Sequence, residues 1–537
     1  MRRYGLALFT LAAVVFPAAV RATDGAAPKA GESAQPVVIY TKDRAPATPK
    51  LEDLPLKESV SRDGITWTFE KAVRCGQFVN GDWYVVGPAT VVKIDPTPLY
   101  NDEIKDPTDK EKNLFKGNSV RNGSMLNPPA RLQKSAFDSR IRGSSWFDPK
   151  LILHLPIAMK PGDALMSSIS KAKTGEYVVK SYSVLTCLKE PVPADAFRPG
   201  YCDREQVIYL ARNLKRDILP KLAVPPPNPK GESKSPSFPP SIPTMEDMFA
   251  RPWYHEAFLE DAEAEYQFGG YGRSICQWVT NATLTLCLDL KPEAKERLLL
   301  NLVGHGLDLW GMAKSDGFTG WATMGGWGSG RKWPIVFAGV MLGDDKMASP
   351  TKTFPQLRFQ EDNQTHYDDC WTGAGVVWAG HLGWGCFEKA RPELSLGPYE
   401  NVHPTRWNGW TGTSYRTNMT SSTWIGEAMA IHLLHAEKEW NADPFLDYCD
   451  RWMYEPDPAY GNGGYVSLQG HGWDPFAEAM WLAYREKLPS IAGRDSSPRP
   501  TTNWQKKREL KGPAVEIGKN RELLVKGKPF LPILIFA

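Results

Sequence analysis

Nine prolines lie between Pro220 and Pro243, in LPKLAVPPPNPKGESKSPSFPPSIPT. Each fixes φ and lacks an N–H, so neither a helix nor a central strand can run through this stretch, which reads as a stiff, solvated linker at 216–244. The apolar period changes across it. Upstream, ITWTFEKAVRCGQFVNGDWYVVGPATVVKI alternates apolar and polar residues, with Asn80-Gly81-Asp82 as a hairpin turn. Leu151 to Met159 and Gly175 to Glu190 keep that alternation, so 58–215 is expected to be a β-sandwich-like domain.

Downstream, apolar residues recur at i, i+3, i+4 and i+7 in eight segments, from MEDMFARPWYHEAF to DPFAEAMWLAYREK. They include WTGAGVVWAGHLGWGCFEKA, and they alternate with Gly/Trp/Asn-rich loops. Helix pairs joined by such loops suggest an (α/α) toroid of helical hairpins over 245–487, with the loops gathered on shared rims. The expected fold is therefore multidomain, an N-terminal β-sandwich-like domain followed by an all-α toroid. A second linker (488–512) precedes 513–537, where AVEIGKNRELLVKGKPFLPILIFA resembles the opening strands of a glycosidase-type barrel. These strands are expected either to begin a truncated barrel domain or to dock on the β domain.

Residues 1–22 carry Arg2 and Arg3, an apolar run and a small-residue site, the pattern of a secretory signal peptide. A flexible Ala/Pro/Lys leader follows at 23–57. A secreted or periplasmic protein without a membrane span is expected. With 64 basic and 61 acidic side chains the field is too weak to indicate nucleic acid. The eight cysteines lack zinc-site spacing, and Cys187 with Cys202 and Cys370 with Cys386 are the local pairs that export would allow to bridge. No metal or cofactor is expected, and the oligomeric state is left open.

Sixteen of the 20 tryptophans fall between Trp253 and Trp481. An indole is a rigid apolar face with one donor, suited to stacking on a pyranose as well as to core packing. Trp321, Trp327, Trp407 and Trp410 sit in the glycine-rich stretches GWATMGGWGSGRKW and RWNGWTGTSYR and are the candidate sugar-stacking residues. Four polar clusters accompany them. Arg331 and Lys332 follow a glycine-rich turn at a helix start, where an anion can be received. FQEDNQTHYDD gathers Glu361, Asp362, His366 and Tyr367. Tyr415, Arg416 and Asn418 precede a helix that Thr420 to Ser422 also suit as caps. His305 and His471 each lie within a GHG. No GxSxG, HExxH, phosphate loop or dinucleotide fingerprint occurs.

GGxGSGRKWP, FxEDxQTxY and Tyr-Arg-x-Asn together resemble the bacterial secreted (α/α)-toroid polysaccharide lyases, the group that includes alginate and heparinoid lyases. The resemblance implies β-elimination on a uronic-acid-containing polysaccharide, with an acidic polysaccharide as partner. It implies Tyr367 or Tyr415 as proton carrier, His366 as a base, and Arg416, Asn418 and Glu361 as neutralising and orienting groups. Arg331, Lys332, Asp362, His471 and the four loop tryptophans complete the substrate-binding set. One departure is that Trp327 stands where an active enzyme of that kind carries histidine. A toroid glycoside hydrolase using Glu361, Asp362, Asp368 or Asp369, alone or with Asp308, and a non-catalytic glycan-binding protein remain alternatives.

Overall fold

The N-terminal strands are β1 (Leu56–Arg62), β2 (Ile65–Gln77), β3 (Trp83–Val86), β4 (Ala89–Asp95), β5 (Leu99–Tyr100), β6 (Val120–Arg121), β7 (Ser124–Leu126), β8 (Ile157–Met159), β9 (Ala164–Ser170) and β10 (Val179–Leu188). This computed structural model describes residues 37–100, 119–130, 136–141, 147–170, 179–227, 238–254, 264, 266, 271–321, 326–370, 373–378, 400, 415–454, 474–488, 515–517, 523–525 and 528–530. Met1–Val38 and Ile39–Ala537 separate into two units, and every element named here belongs to the second. The expected signal peptide, Trp407, Trp410, His471 and Cys386 lie outside the described residues.

Seven strands follow one another in the order β7-β9-β10-β3-β2-β4-β8, with β1 paired to β2 beside that path. This is one curled half-barrel sheet, which corrects the expected sandwich. The reason lies in β2. Its first half pairs with β4, its last three residues pair with β3, β1 runs along both halves, and the register with β4 shifts between Thr68 and Phe69. A single long strand therefore carries the pleat around a corner, and the alternating inward residues close on one core. Trp67, Phe69, Val85, Val91, Leu165 and Leu185 fill it, and the Trp67 indole N–H donates to Ser167 Oγ across the interior at 3.0 Å. The turn at Asn80-Gly81-Asp82 is present, with Gln77 opposite Trp83 and Gly81 at φ +87°.

Cys187 and Cys202 are separate buried thiols rather than a bridge. The Cys187 thiol donates to Gly87 O at 2.9 Å and that of Cys202 to Pro128 O at 3.3 Å.

Eleven α-helices are present among the described residues: α1 (Ile242–Phe249), α2 (Gly272–Leu286), α3 (Pro292–Ala313), α4 (Lys332–Leu342), α5 (Asp345–Ala348), α6 (Pro350–Thr353), α7 (Gln360–Gln364), α8 (Ser422–Leu433), α9 (Glu437–Trp440), α10 (Asp443–Tyr454) and α11 (Pro475–Tyr484). They do not show the expected all-α toroid. Short strands interrupt them. β11 (Gly320–Trp321) pairs in parallel with β12 (Arg358–Phe359), and β13 (Thr365–Tyr367) pairs antiparallel with β14 (Val376–Trp378). β14 falls inside the run expected to be helical from Trp371.

Every residue of α8 is buried, as are nine of the eleven in α4. Helices apolar on all sides are central pieces wrapped by neighbours. The sequence period announces such a helix without saying how many faces it buries. At the C-terminus, β15 (Val515–Ile517), β16 (Leu523–Val525) and β17 (Lys528–Phe530) form their own antiparallel sheet.

The segment after β10 straps sheet to helices. Arg198 donates to Asp82 of the β2–β3 turn at 2.7 Å and, through both terminal nitrogens, to Asp308 of α3 at 2.9 and 2.8 Å, all buried. Tyr209 donates to Asp344 at 2.7 Å, and Lys215 N to Met341 O at 2.8 Å. Asp308 is thus a structural anchor. His305, three residues before it, packs on Trp253 with ring centroids 4.7 Å apart, and burial lowers its pKa to about 3, so it is a neutral core residue.

Candidate functional site

The glycine-rich turn before α4 is built for close backbone approach. A Cβ on Gly330, which sits at φ +84°, would lie 2.5 Å from Cys276 N, and one on Gly272 would lie 2.3 Å from Trp327 O. Side chains of α7 close the turn from the other side. Gln360 Oε1 accepts from Gly328 N and Glu361 Oε1 from Gly330 N, each at 2.7 Å. Arg331 folds back and donates from Nη1 to Trp327 O and Ser329 O, both at 2.7 Å. It ties the turn from within the core. Lys332 Nζ lies 2.7 Å from both oxygens of Asp362 and 4.1 Å from the Trp440 ring centroid, with no exposed side-chain surface.

Beneath the turn two acids face each other without a matching pair of cations. Burial pushes the Glu361 carboxyl above its usual range, and burial together with the charge of Glu361 pushes Glu427 of α8 further. The Cys276 thiol, a weak donor, is the hydrogen-bond partner that Glu427 has there. The arrangement favours holding protons over carrying two negative charges.

A second buried network surrounds Glu400. Burial alone would raise its pKa, but Arg416 and Arg451 hold it below the ordinary value. Arg416 Nε is 2.8 Å from Glu400 Oε1 and donates to the Tyr448 hydroxyl at 2.8 Å. Arg451 donates to Glu400 Oε2 at 2.6 Å, and Trp378 N donates to the same oxygen at 2.7 Å. Arg416 belongs to a π-helical turn, Tyr415–Ser421, that runs directly into α8, where a capping sequence was expected. Tyr415 and Asn418 lie in that turn, and their side chains are outside the described residues.

The exposed chemistry lies at the other end of α7. His366 Nε2 is 2.8 Å from Asn363 O. Tyr367 is 58% exposed, and its phenol donates to Asp447 Oδ2 at 2.5 Å. α10, which carries Asp447, packs on α7, β13 and β14. Asp362 reaches solvent in a cleft of about 250 Å³ that it lines together with Thr351, Arg358, Phe359, Asn363 and Asn441.

The structure therefore brings Glu361, Asp362, Arg331 and Lys332 together around one turn and sets His366 and Tyr367 on the strand that follows. Arg416 lies in a separate buried network. The tryptophans mostly pack the interior: Trp253, Trp321, Trp333, Trp378, Trp424, Trp440, Trp452 and Trp481 are all fully buried. Trp327 is half-buried, edge-on to Tyr271. Sequence reasoning missed Asp447, Glu427 and Glu400. A lone acid inside the apolar run TWIGEAMAIHLL was a signal for Glu427, since an unpaired buried carboxylate is rare. Asp447 gives no such signal within a polar helix face.

Among the described residues, no cluster of His, Cys, Asp and Glu has the grouping of a metal site, and no helix is long and apolar enough to cross a membrane. Comparison with known families, with characterised proteins and with solved structures finds no match to this chain.

Proposed function

We propose that the protein is a secreted enzyme that cleaves a uronic-acid-containing polysaccharide by β-elimination at the surface formed by β13 and α10. The observation that carries this reading is the exposed Tyr367 phenol donating to Asp447 at 2.5 Å. A phenol beside a carboxylate has an acceptor for its own proton. Asp447 takes that proton, the phenolate oxygen takes the C5 proton of the sugar, the C4–O bond breaks as C4=C5 forms, and the re-formed phenol gives its proton to the leaving oxygen while Asp447 returns the one it holds to Tyr367. Positioned acid–base help of this kind contributes about 10²–10⁴-fold. Asp447 replaces His366 as the partner base, because the His366 ring is already engaged with Asn363 O.

One observation favours hydrolysis as a second reading. Arg331, Lys332 and Arg416, the cations expected to neutralise a uronate, are buried and have internal partners. Surface carboxylates such as Asp362 and Asp447 would then act on a neutral sugar.

Product mass separates the two readings, since elimination gives oligosaccharides one water lighter than hydrolysis does. With Tyr367→Phe, loss of product of the lighter mass at unchanged thermal stability supports elimination at this residue. Products of hydrolytic mass, or full activity in Tyr367→Phe, overturn it.

A further inference from the structure

We propose that the cleft beside α7 is a binding subsite for an acidic sugar residue, with Arg358 as the group that recognises its carboxylate. The inference rests on the polysaccharide reading for its choice of ligand, while its geometry is independent of Tyr367. At about 250 Å³ the cleft falls just below the roughly 300–1,000 Å³ of drug-sized ligand sites, which suits a ligand of one sugar ring. Its floor is Phe359, fully buried in the short strand that pairs with β11.

The charge balance of the lining selects the ligand. Asp362 is the one acid of the lining and Arg358 its one cation among the described residues. Asp362 is neutralised from below by Lys332, which is buried and contacts both of its oxygens. The guanidinium of Arg358 is therefore the uncompensated charge facing the cleft. Its Nη1 is held in place by donation to Pro355 O at 2.7 Å and Leu357 O at 3.2 Å, and the Nε–Nη2 edge remains for a carboxylate.

The remaining polar groups suit hydroxyls. Asn441 Nδ2 donates to Thr351 Oγ1 at 3.2 Å across the cleft rim, so its amide oxygen and a second N–H stay available, and Asn363 adds another amide. Asn441 adopts φ +56°, a left-handed conformation that fixes where its amide points. An exposed arginine, two amides and a hydroxyl make a recognition set for one carboxylate and a vicinal diol. A neutral sugar would use the amides and leave Arg358 unused.

The probes are sodium glucuronate, glucose and sodium sulfate, titrated against the full chain by saturation-transfer NMR and calorimetry. The proposal expects glucuronate to bind more tightly than glucose, and Arg358→Gln to weaken glucuronate by about tenfold or more, the loss of one charge-assisted contact, with glucose unchanged. Asn363→Ala should weaken both sugars. Arg358 is exposed, so a melting temperature equal to wild type separates lost binding from lost folding. Equal affinity for glucuronate in wild type and Arg358→Gln overturns the subsite, as does absence of glucuronate binding in wild type. Binding of sulfate as tight as that of glucuronate reduces the cleft to a general anion site and also overturns it. Turnover of polymer with a KM unaffected by Arg358→Gln removes this subsite and leaves the enzyme. Arg358-dependent glucuronate binding without turnover of any polymer leaves the subsite and removes the enzyme.

Discussion

The sheet and the helical region both bury carboxylates, and they treat them in opposite ways. Asp138, beside the sheet, is fully buried and accepts from Gly123 N, Arg140 N and the hydroxyls of Ser168 and Ser170, at 2.6 to 3.2 Å. Glu427, in the middle of α8, is as deeply buried, and only the weak donor of the Cys276 thiol stands beside it. Four donors on one carboxylate tie the strands around Asp138 together. A buried carboxyl with a single weak donor stays protonated and destabilises its surroundings whenever it is forced to ionise. Asp138 thus serves as a hydrogen-bonded strand tie, while Glu361 and Glu427 of the helical region are buried acids with raised pKa values.

The largest test of that contrast lies in a helical network where the buried acid is paired. Glu400→Gln leaves Arg416 and Arg451 buried without their shared counter-charge, and should cost about 3–5 kcal/mol in urea unfolding. A loss below 1 kcal/mol would mean that the arginines find other partners. Next, Asp138→Ala strips four donors of their acceptor and should destabilise by about 3 kcal/mol.

Glu427→Gln should act in the reverse direction. The folded-state pKa of Glu427 is raised, so between the ordinary carboxylate range and neutrality the folded chain holds a proton that the unfolded chain has released, and wild-type stability falls as pH rises. Gln does not titrate, so the variant should match wild type near pH 5 and exceed it by about 1–2 kcal/mol near pH 8. Parallel pH profiles for the two proteins would erase the contrast with Asp138.

What the sequence made legible follows the same division. Alternation in ITWTF and WYVV, with Gly81 in the turn between them, announces strands and a hairpin because period-2 burial leaves its mark residue by residue. It does not reveal that β2 is long enough to turn a corner and make one curled sheet of two expected layers. In the helical region KWPIVFAGVML and STWIGEAMAIHL read clearly as helices, yet their burial on every side depends on neighbours distant in sequence. The site shows this most plainly. Cations near glycine-rich loops can receive an anion, which is what Arg331, Lys332 and Arg416 suggest in the sequence, while their internal partners Ser329, Asp362 and Glu400 come from contacts that no spacing encodes. Tyr367 stands out in the sequence as a candidate site residue. Its partner Asp447, eighty positions away, does not.

The central claim is best tested by following near-ultraviolet absorbance of wild type and Tyr367→Phe mixed with a panel of polyuronides and glycosaminoglycans. Elimination creates a conjugated C4=C5 uronate that absorbs there, and hydrolysis creates none. The account predicts a rise on at least one polymer with wild type and its loss, by about 10²-fold or more, with Tyr367→Phe. A rise that survives the substitution, or a flat trace accompanied by new reducing ends, would contradict it.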